Sequence, residues 1–172
     1  WLVYSITGSP FLLGFVAMLQ YLPVLLFSLF AGVLVDKFSR KKILLATQII
    51  SMVFAFGLAA LAWTGYVRYW HVAVLAFITG LGNTFYFPSR QSFMIQVAGK
   101  EHLMNVIALN SMMINLAKIL GPALAGIIMA YAGIVLCFII NGLSYLAVIA
   151  GLLLIKDKAT QDIRPGTEED AA

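Results

Sequence analysis

The sequence predicts an all-α membrane protein, and three observations support this fold class. Of 172 residues, 62% are hydrophobic and only 10% are charged, whereas about 25% of residues in a soluble domain are charged. The mean hydropathy is +0.98. The apolar residues also fall into runs of about 20, the helix length that spans the hydrocarbon core of a bilayer. A soluble domain of this size could not bury so much apolar surface.

Turns and polar segments divide the chain into predicted helices. Turns are expected at Gly8-Ser9-Pro10, at residues 65–69 and at Ala132-Gly133. The short first run reads as the end of a truncated helix, because the chain begins at Trp1 without a signal-peptide pattern. Residues 156–172 are polar and of mixed charge, which predicts a cytoplasmic tail or the start of a central loop. The predicted spans are 1–7 (partial), 10–35, 43–64, 71–94, 105–131 and 134–155.

Basic residues indicate the orientation of these helices. Nine of the 11 Lys and Arg residues lie in or beside alternate connections, namely the 36–42 loop, the 95–104 loop and the tail. Because cytoplasmic loops carry an excess of Lys and Arg, we expect these three segments in the cytoplasm. Six crossings followed by a polar tail are typical of one half of a transporter that is built from two six-helix halves.

The loop between the first two complete spans carries the most specific motif in the chain, Gly-x-x-x-Asp-Lys-x-Ser-Arg-Lys. Its residues are Gly32, Asp36, Lys37, Arg40 and Lys41. The motif resembles the signature between the second and third helices of the major facilitator superfamily, with serine where that signature has a second glycine. The segments PSRQ, NVIALNS, GPALAG and FIINGLSYLA extend the resemblance to the superfamily's enterobactin-exporter-like, or transmembrane secretion effector, branch. The resemblance implies the six-helix N-terminal half of a major facilitator fold, with its first helix truncated.

The same resemblance implies that this loop is a cytoplasmic gating latch between two halves of a transporter. Its basic residues alone would also fit a simple positive-inside anchor. Asp36, four residues after Gly32, is not needed for topology, so we favour the latch. In the superfamily the glycine permits close helix approach, and the aspartate faces a helix N-terminus and basic partners.

A second motif lies in the predicted 105–131 span. Gly121, Pro122, Ala125 and Gly126 resemble the superfamily's antiporter motif, whose core is Gly-Pro-x-x-Gly-Gly, with alanine replacing one glycine. This resemblance implies export by antiport. The arginine that the superfamily's fourth helix often uses in proton transfer would fall at Ala76, so that motif is absent.

Polar residues inside apolar spans are candidates for a cavity or substrate path, because a polar group in lipid is costly. We select Gln20, Asn83, Arg90, Asn115 and Lys118. Lys118 lies about halfway along its span, so it is expected to face the central cavity or a polar contact between helices. Asn83 fits either a cavity or a helix–helix contact.

Two of the polar residues leave alternatives open. Arg90 follows Pro88 near a predicted cytoplasmic end, and it is either an interfacial anchor or the partner of an acid such as Asp36 or Glu101. Gln20 and Gln48 each fit either a packing contact between helices or the cavity. Gln20 has the stronger claim to the cavity because Pro23 loosens its helix.

The sequence has no set of residues that indicates an enzyme. It has no carboxylate pair at mid-membrane, no Ser/His/Asp set and no phosphate-binding loop. The single cysteine, Cys137, lies in an apolar run and indicates neither a disulfide framework nor a metal site. We therefore expect no cofactor, no metal and no nucleic-acid partner.

The leading hypothesis is a secondary active transporter that works by alternating access. Its expected activity is the proton-driven efflux of a small amphipathic or siderophore-like molecule. Its expected partners are the lipid bilayer, the transported molecule, protons and a second six-helix half, in the plasma (inner) membrane of a bacterium. The alternatives are an uptake symporter of the same superfamily or a non-transporting membrane assembly subunit.

Overall fold

The computed structural model describes residues 1–155, without the side chains of residues 33, 34, 36, 37 and 98–103. The predicted 156–172 tail therefore lies outside the described residues. The described chain contains no strand and has four helical elements: α1 (Leu2–Thr7), α2 (Pro10–Lys37), α3 (Arg40–Trp63) and α4 (Tyr69–Leu154). The predicted all-α class is confirmed. The six-helix count is not, because residues 69–154 form one element.

Four segments of these helices are long and apolar enough to cross a membrane. They are Pro10–Gly32, Arg40–Trp63, Tyr69–Val97 and Met104–Leu154. The last has 51 residues, more than twice the roughly 20 that one crossing needs. Its length therefore requires a change of direction within the segment.

The turn between α1 and α2 follows from three consecutive residues. Gly8 closes α1 in the left-handed conformation (φ 62°), and its N–H donates to the carbonyl of Tyr4 at 2.8 Å. Ser9 caps α2 by accepting a hydrogen bond from the Leu12 N–H, and Pro10 occupies the first helical position, where its missing N–H costs nothing. The turn folds α1 back, so that Val3 joins a small buried core with residues of α2 and α4.

The connection between α2 and α3 is very short. Phe38 and Ser39 have extended backbones (φ −111° and −61°), and α3 starts at Arg40. Serine therefore fits the position at which the resemblance expects a glycine, since only a positive φ would favour glycine there.

The element α4 folds back on itself and is not one straight rod. As a straight helix its 86 residues would extend about 130 Å. Arg90 instead hydrogen-bonds to Asn110, 20 residues away, so the chain reverses between them. It reverses again at Gly133, whose φ of 77° does not fit a regular helix, and Cys137 Sγ then reaches the carbonyl of Ala125 at 3.8 Å. We call the resulting parts of α4 its first limb (residues 69–97), second limb (residues 104–132) and third limb (residues 134–154).

The backbone between the first and second limbs differs from the expectation of a loop. Residues 95–104 are helical, although the charged residues there suggested a cytoplasmic connection. The physical reason is local composition, since Gln, Ala, Lys, Glu, Leu and Met are all strong helix formers and only Gly99 opposes a helix.

The helices α2 and α3 pack mainly on α4 and only slightly on each other. Two glycines of α4 mark the tightest contacts. A methyl group added at Gly80 would overlap the backbone carbonyl of Gln20 in α2, and one added at Gly142 would lie 2.8 Å from the ring of Phe56 in α3. Glycine at these positions lets the helices approach more closely than any other residue would allow.

Candidate functional site

A polar cavity lies between α2, α3 and α4 and contains one predicted residue, Gln20. We call it the Gln20 cavity. It has a volume of about 250 Å³ and is lined by Val16, Gln20, Ser51, Thr79, Asn141 and Tyr145, among others. The polar groups belong to three separate elements, so the cavity exists only when the helices are packed together.

Two further cavities are lined by the limbs of α4, and one of them also by α3. The Gln48 cavity has a volume of about 300 Å³, and its lining includes Leu44, Gln48, Tyr86, Arg90, Asn110 and Leu152. A second cavity of about 300 Å³ lies between the first and second limbs. Both cavities are lined by Arg90, Met94, Val106 and Asn110, so the Arg90–Asn110 pair is part of the wall between them.

Arg90 is paired with a neutral amide. Its Nη2 donates a hydrogen bond of 2.7 Å to Asn110 Oδ1, and both residues are half-buried. Sequence reasoning offered an anchor or an acidic partner for this arginine. The side chains of those acids, Asp36 and Glu101, lie outside the described residues. A guanidinium carries five N–H donors, and this contact uses one of them.

Gln48 stands out by its burial. Only 7% of the residue is exposed, and its Oε1 accepts no hydrogen bond from any described group. A buried carbonyl without a donor costs about 1–3 kcal/mol. Gln48 lies eight residues after the start of α3, on the wall of the cavity that also contains Arg90.

The residues of the predicted latch lie around the α2–α3 connection. Gly32 is exposed, and no described atom comes within 4 Å of the place where its Cβ would be. Arg40 begins α3, and Lys41 Nζ donates to the carbonyl oxygen of Ile155 at 2.6 Å. The side chains of Asp36 and Lys37 are outside the description, so the latch stays a prediction.

The antiporter-like motif lies on an exposed limb. Gly121, Pro122, Ala125 and Gly126 are all exposed, and nothing described lies within 4 Å of a Cβ built at either glycine. From residue 111 to 127 only Ile114 is partly covered. The second limb thus presents nearly its whole surface, with Asn115 and Lys118 among the exposed residues.

The structure distributes the five candidate path residues over separate places. Gln20 lines one cavity, Arg90 lines two others, and Asn83 is half-buried in the first limb without lining any of the three. Asn115 and Lys118 lie on the exposed second limb.

Sequence reasoning ranked Gln48 below Gln20 and did not select Asn110 or Asn141 as cavity residues. Each is an amide in an apolar helix, so polarity alone could have marked them as candidates. Which of them share a cavity depends on how the limbs fold back, and the helical pattern of one segment does not contain that information. No group of three or more potential metal ligands occurs among the described residues.

Comparison with known proteins places these features in a family. The sequence profile of the transmembrane secretion effector family matches residues 1–169. The uncharacterized MFS-type transporter YfiS of Bacillus subtilis is 25% identical over 98% of this chain and 40% of its own length. No solved structure matches.

Other relatives carry functional names. The staphyloferrin A transporter of Staphylococcus aureus is 24% identical over 94% of the chain and 41% of its own length. The multidrug efflux pump Tap of Mycolicibacterium fortuitum is 31% identical over 77% of the chain and 34% of its own length. The chain thus spans about two fifths or less of each of these relatives.

Proposed function

Because the chain belongs to the transmembrane secretion effector family of the major facilitator superfamily, we propose that it forms part of a secondary active transporter. The transporter works by alternating access and exports a small amphipathic or siderophore-like molecule. The observation that carries this proposal is the family match over residues 1–169. It is supported by relatives that are named as a multidrug efflux pump and a staphyloferrin A transporter.

The distribution of exposed surface supports an assembly from two halves. The second limb of α4 is long, apolar and exposed on nearly all sides among the described residues. It carries small residues at the antiporter-like motif, which allow another helix to approach closely. We propose that a second six-helix half packs against this limb, and that Lys118 and Asn115 face the path between the halves.

Proton coupling is part of the proposal, and it restricts where the proton can bind. None of the seven acidic residues lies within a predicted span, since they occupy the 36–42 loop, the 95–104 segment and the tail. An acid that carries the proton through the membrane therefore belongs to a part of the protein outside these spans. The proposed orientation puts the basic 36–42 loop on the cytoplasmic side of a bacterial inner membrane.

Dye accumulation in cells tests this function. The full-length protein, expressed in a bacterium that lacks its own efflux pumps, should lower the steady-state level of ethidium. Asp36→Asn should slow this efflux about tenfold or more while the amount of protein in the membrane stays unchanged. Lys42→Gln, a change in the same loop outside the latch motif, serves as the matched control.

The two alternatives give different results in this assay. An uptake symporter would raise the accumulation of its substrate, and an assembly subunit would leave ethidium unchanged. Either result would overturn the efflux proposal. If Asp36→Asn and the wild type transport equally fast, the loop is an anchor and not a latch.

A further inference from the structure

We propose that the Gln48 cavity is a binding site for an amphipathic anion that carries a hydroxyl group next to its charge, such as a glycerol-type phospholipid headgroup. The proposal concerns binding alone and holds for either direction of transport. It depends on the charge of the lining, the unpaired carbonyl of Gln48, and the position of the cavity in the bundle.

The charge of the cavity calls for an anion. Arg90 is the one charged residue among the described residues that line it, and its described hydrogen bond is to the neutral Asn110. A cation in an apolar environment is stabilised by an opposite charge. A phosphate or carboxylate accepts hydrogen bonds from a guanidinium in a favourable, often bidentate geometry.

Gln48 adds a second requirement. Its Oε1 is buried without a hydrogen-bond donor among the described residues, in a side chain that is more than nine-tenths buried. Burying this acceptor lowers the stability of the fold unless a ligand donates a hydrogen bond to it. A ligand that satisfies both Gln48 and Arg90 therefore has a donor, such as a hydroxyl, beside its anionic group.

The remaining wall is apolar, and it includes Leu44, Phe93, Val106 and Leu152. A purely polar anion such as inorganic phosphate would leave these side chains exposed to water. An aliphatic chain would cover them and remove their apolar surface from water, which favours binding. The cavity volume of about 300 Å³ is within the usual range of small-molecule sites.

The cavity extends from the ends of two helices towards the middle of the bundle. Leu44 is four residues after the start of α3, and Leu152 is two residues before the end of α4. Both helix ends meet where Lys41 contacts Ile155, beside the basic 36–42 loop. Gln48 is about 12 Å from the start of its 24-residue helix, so an amphipathic ligand that enters between the helix ends can reach it.

Three lipids that differ in headgroup charge and in headgroup hydroxyl groups test the proposal. The full chain is purified in detergent, and its binding of phosphatidylglycerol, phosphatidylmethanol and phosphatidylcholine is titrated by native mass spectrometry. Phosphatidylmethanol keeps the anionic phosphate but has no headgroup hydroxyl. The wild type should bind phosphatidylglycerol most tightly, then phosphatidylmethanol, and phosphatidylcholine least.

Variants test whether Arg90 recognises the anionic group and Gln48 the headgroup hydroxyl. Arg90→Met should weaken the binding of phosphatidylglycerol about tenfold or more, and Arg90→Lys should retain part of the wild-type affinity. Gln48→Leu should bind phosphatidylglycerol and phosphatidylmethanol equally. The controls are Arg68→Met, in the turn before α4, and Thr47→Val, whose hydroxyl bonds to carbonyls of its own helix. Both controls should bind like the wild type.

A soluble ligand with the same chemistry is tested in parallel by titrating 3-hydroxydecanoate. If the acid binds in a manner that depends on Arg90 and Gln48 and the lipid does not, the ligand comes from solution and the site is still the one proposed. If neither ligand binds, or if both variants bind like the wild type, the proposal is overturned. Circular dichroism of each variant verifies that it is folded.

Discussion

The ammonium group of Lys41 donates a hydrogen bond of 2.6 Å to the carbonyl oxygen of Ile155, and this contact joins residues 114 positions apart. Ile155 is the C-terminal cap of α4, where carbonyl groups have no partner within the helix. A cation at this end also interacts favourably with the helix dipole. A basic residue of the latch motif therefore connects the start of α3 to the end of the bundle.

Lys41→Met should lower the stability of the bundle, because it removes a charge-assisted hydrogen bond at a half-buried position. We expect a loss of about 1 kcal/mol, measured as a lower midpoint of thermal unfolding in detergent. Lys42→Met, at the exposed neighbouring position, should leave the midpoint unchanged. Equal midpoints for Lys41→Met and the wild type would show that the contact contributes no stability.

Gly80→Ala should be strongly destabilising. The added methyl group would overlap the backbone carbonyl of Gln20, and a backbone atom inside a packed helix cannot move aside. We expect a loss of about 2 kcal/mol or more, as for other overpacked interiors. Gly82→Ala is the matched control, since no described atom lies within 4 Å of its Cβ. It should be neutral or slightly stabilising. Urea unfolding in mixed micelles distinguishes the two, and equal values would rule out the close α2–α4 contact.

Gly142→Ala should have a smaller effect than Gly80→Ala. Its new methyl group would meet the ring of Phe56 at 2.8 Å, and a side chain can rotate away more easily than a backbone can. We expect a loss of about 1 kcal/mol. In a double-mutant cycle with Phe56→Leu, most of this loss should disappear. Strict additivity of the two changes would indicate that the contact does not exist.

Lys118→Met should alter transport and leave insertion intact. The lysine is exposed on the second limb, and in the proposed transporter it faces the path between the halves. We expect the rate of ethidium efflux to change about tenfold, which corresponds to one charged contact of about 1.4 kcal/mol. Lys118→Arg should retain most of the activity. A wild-type rate for Lys118→Met would place this residue outside the path.

Part of the fold could be predicted from the sequence because it depends on local signals. Gly8, Gly65 and Gly133 all have positive φ values, and each lies in a turn that the sequence predicts. The long apolar runs between these turns are recognisable by composition alone. The 95–104 segment was predicted as a loop, whereas its residues are helical. Helix propensity favours helical turns there, but it does not explain the reversal of the chain between Arg90 and Asn110.

The candidate site was less predictable because it depends on which helices meet. The close approach of Gly80 to Gln20 depends on the packing of α2 on α4, which the pattern of a single helix does not contain. Gln48 and Arg90 are 42 positions apart, and the turn between α3 and α4 brings them to one cavity. The residues of the antiporter-like motif at 121–126 are exposed and line none of the three cavities. The motif therefore did not indicate where the cavities lie.

Transport by inside-out vesicles tests the central claim most directly. Vesicles that contain the full-length protein are loaded with protons by an imposed pH gradient, acid inside, and the uptake of ethidium into the lumen is followed by fluorescence. The account predicts accumulation that requires the protein and that stops when nigericin collapses the gradient. Accumulation that is unchanged after this collapse would contradict proton-driven export.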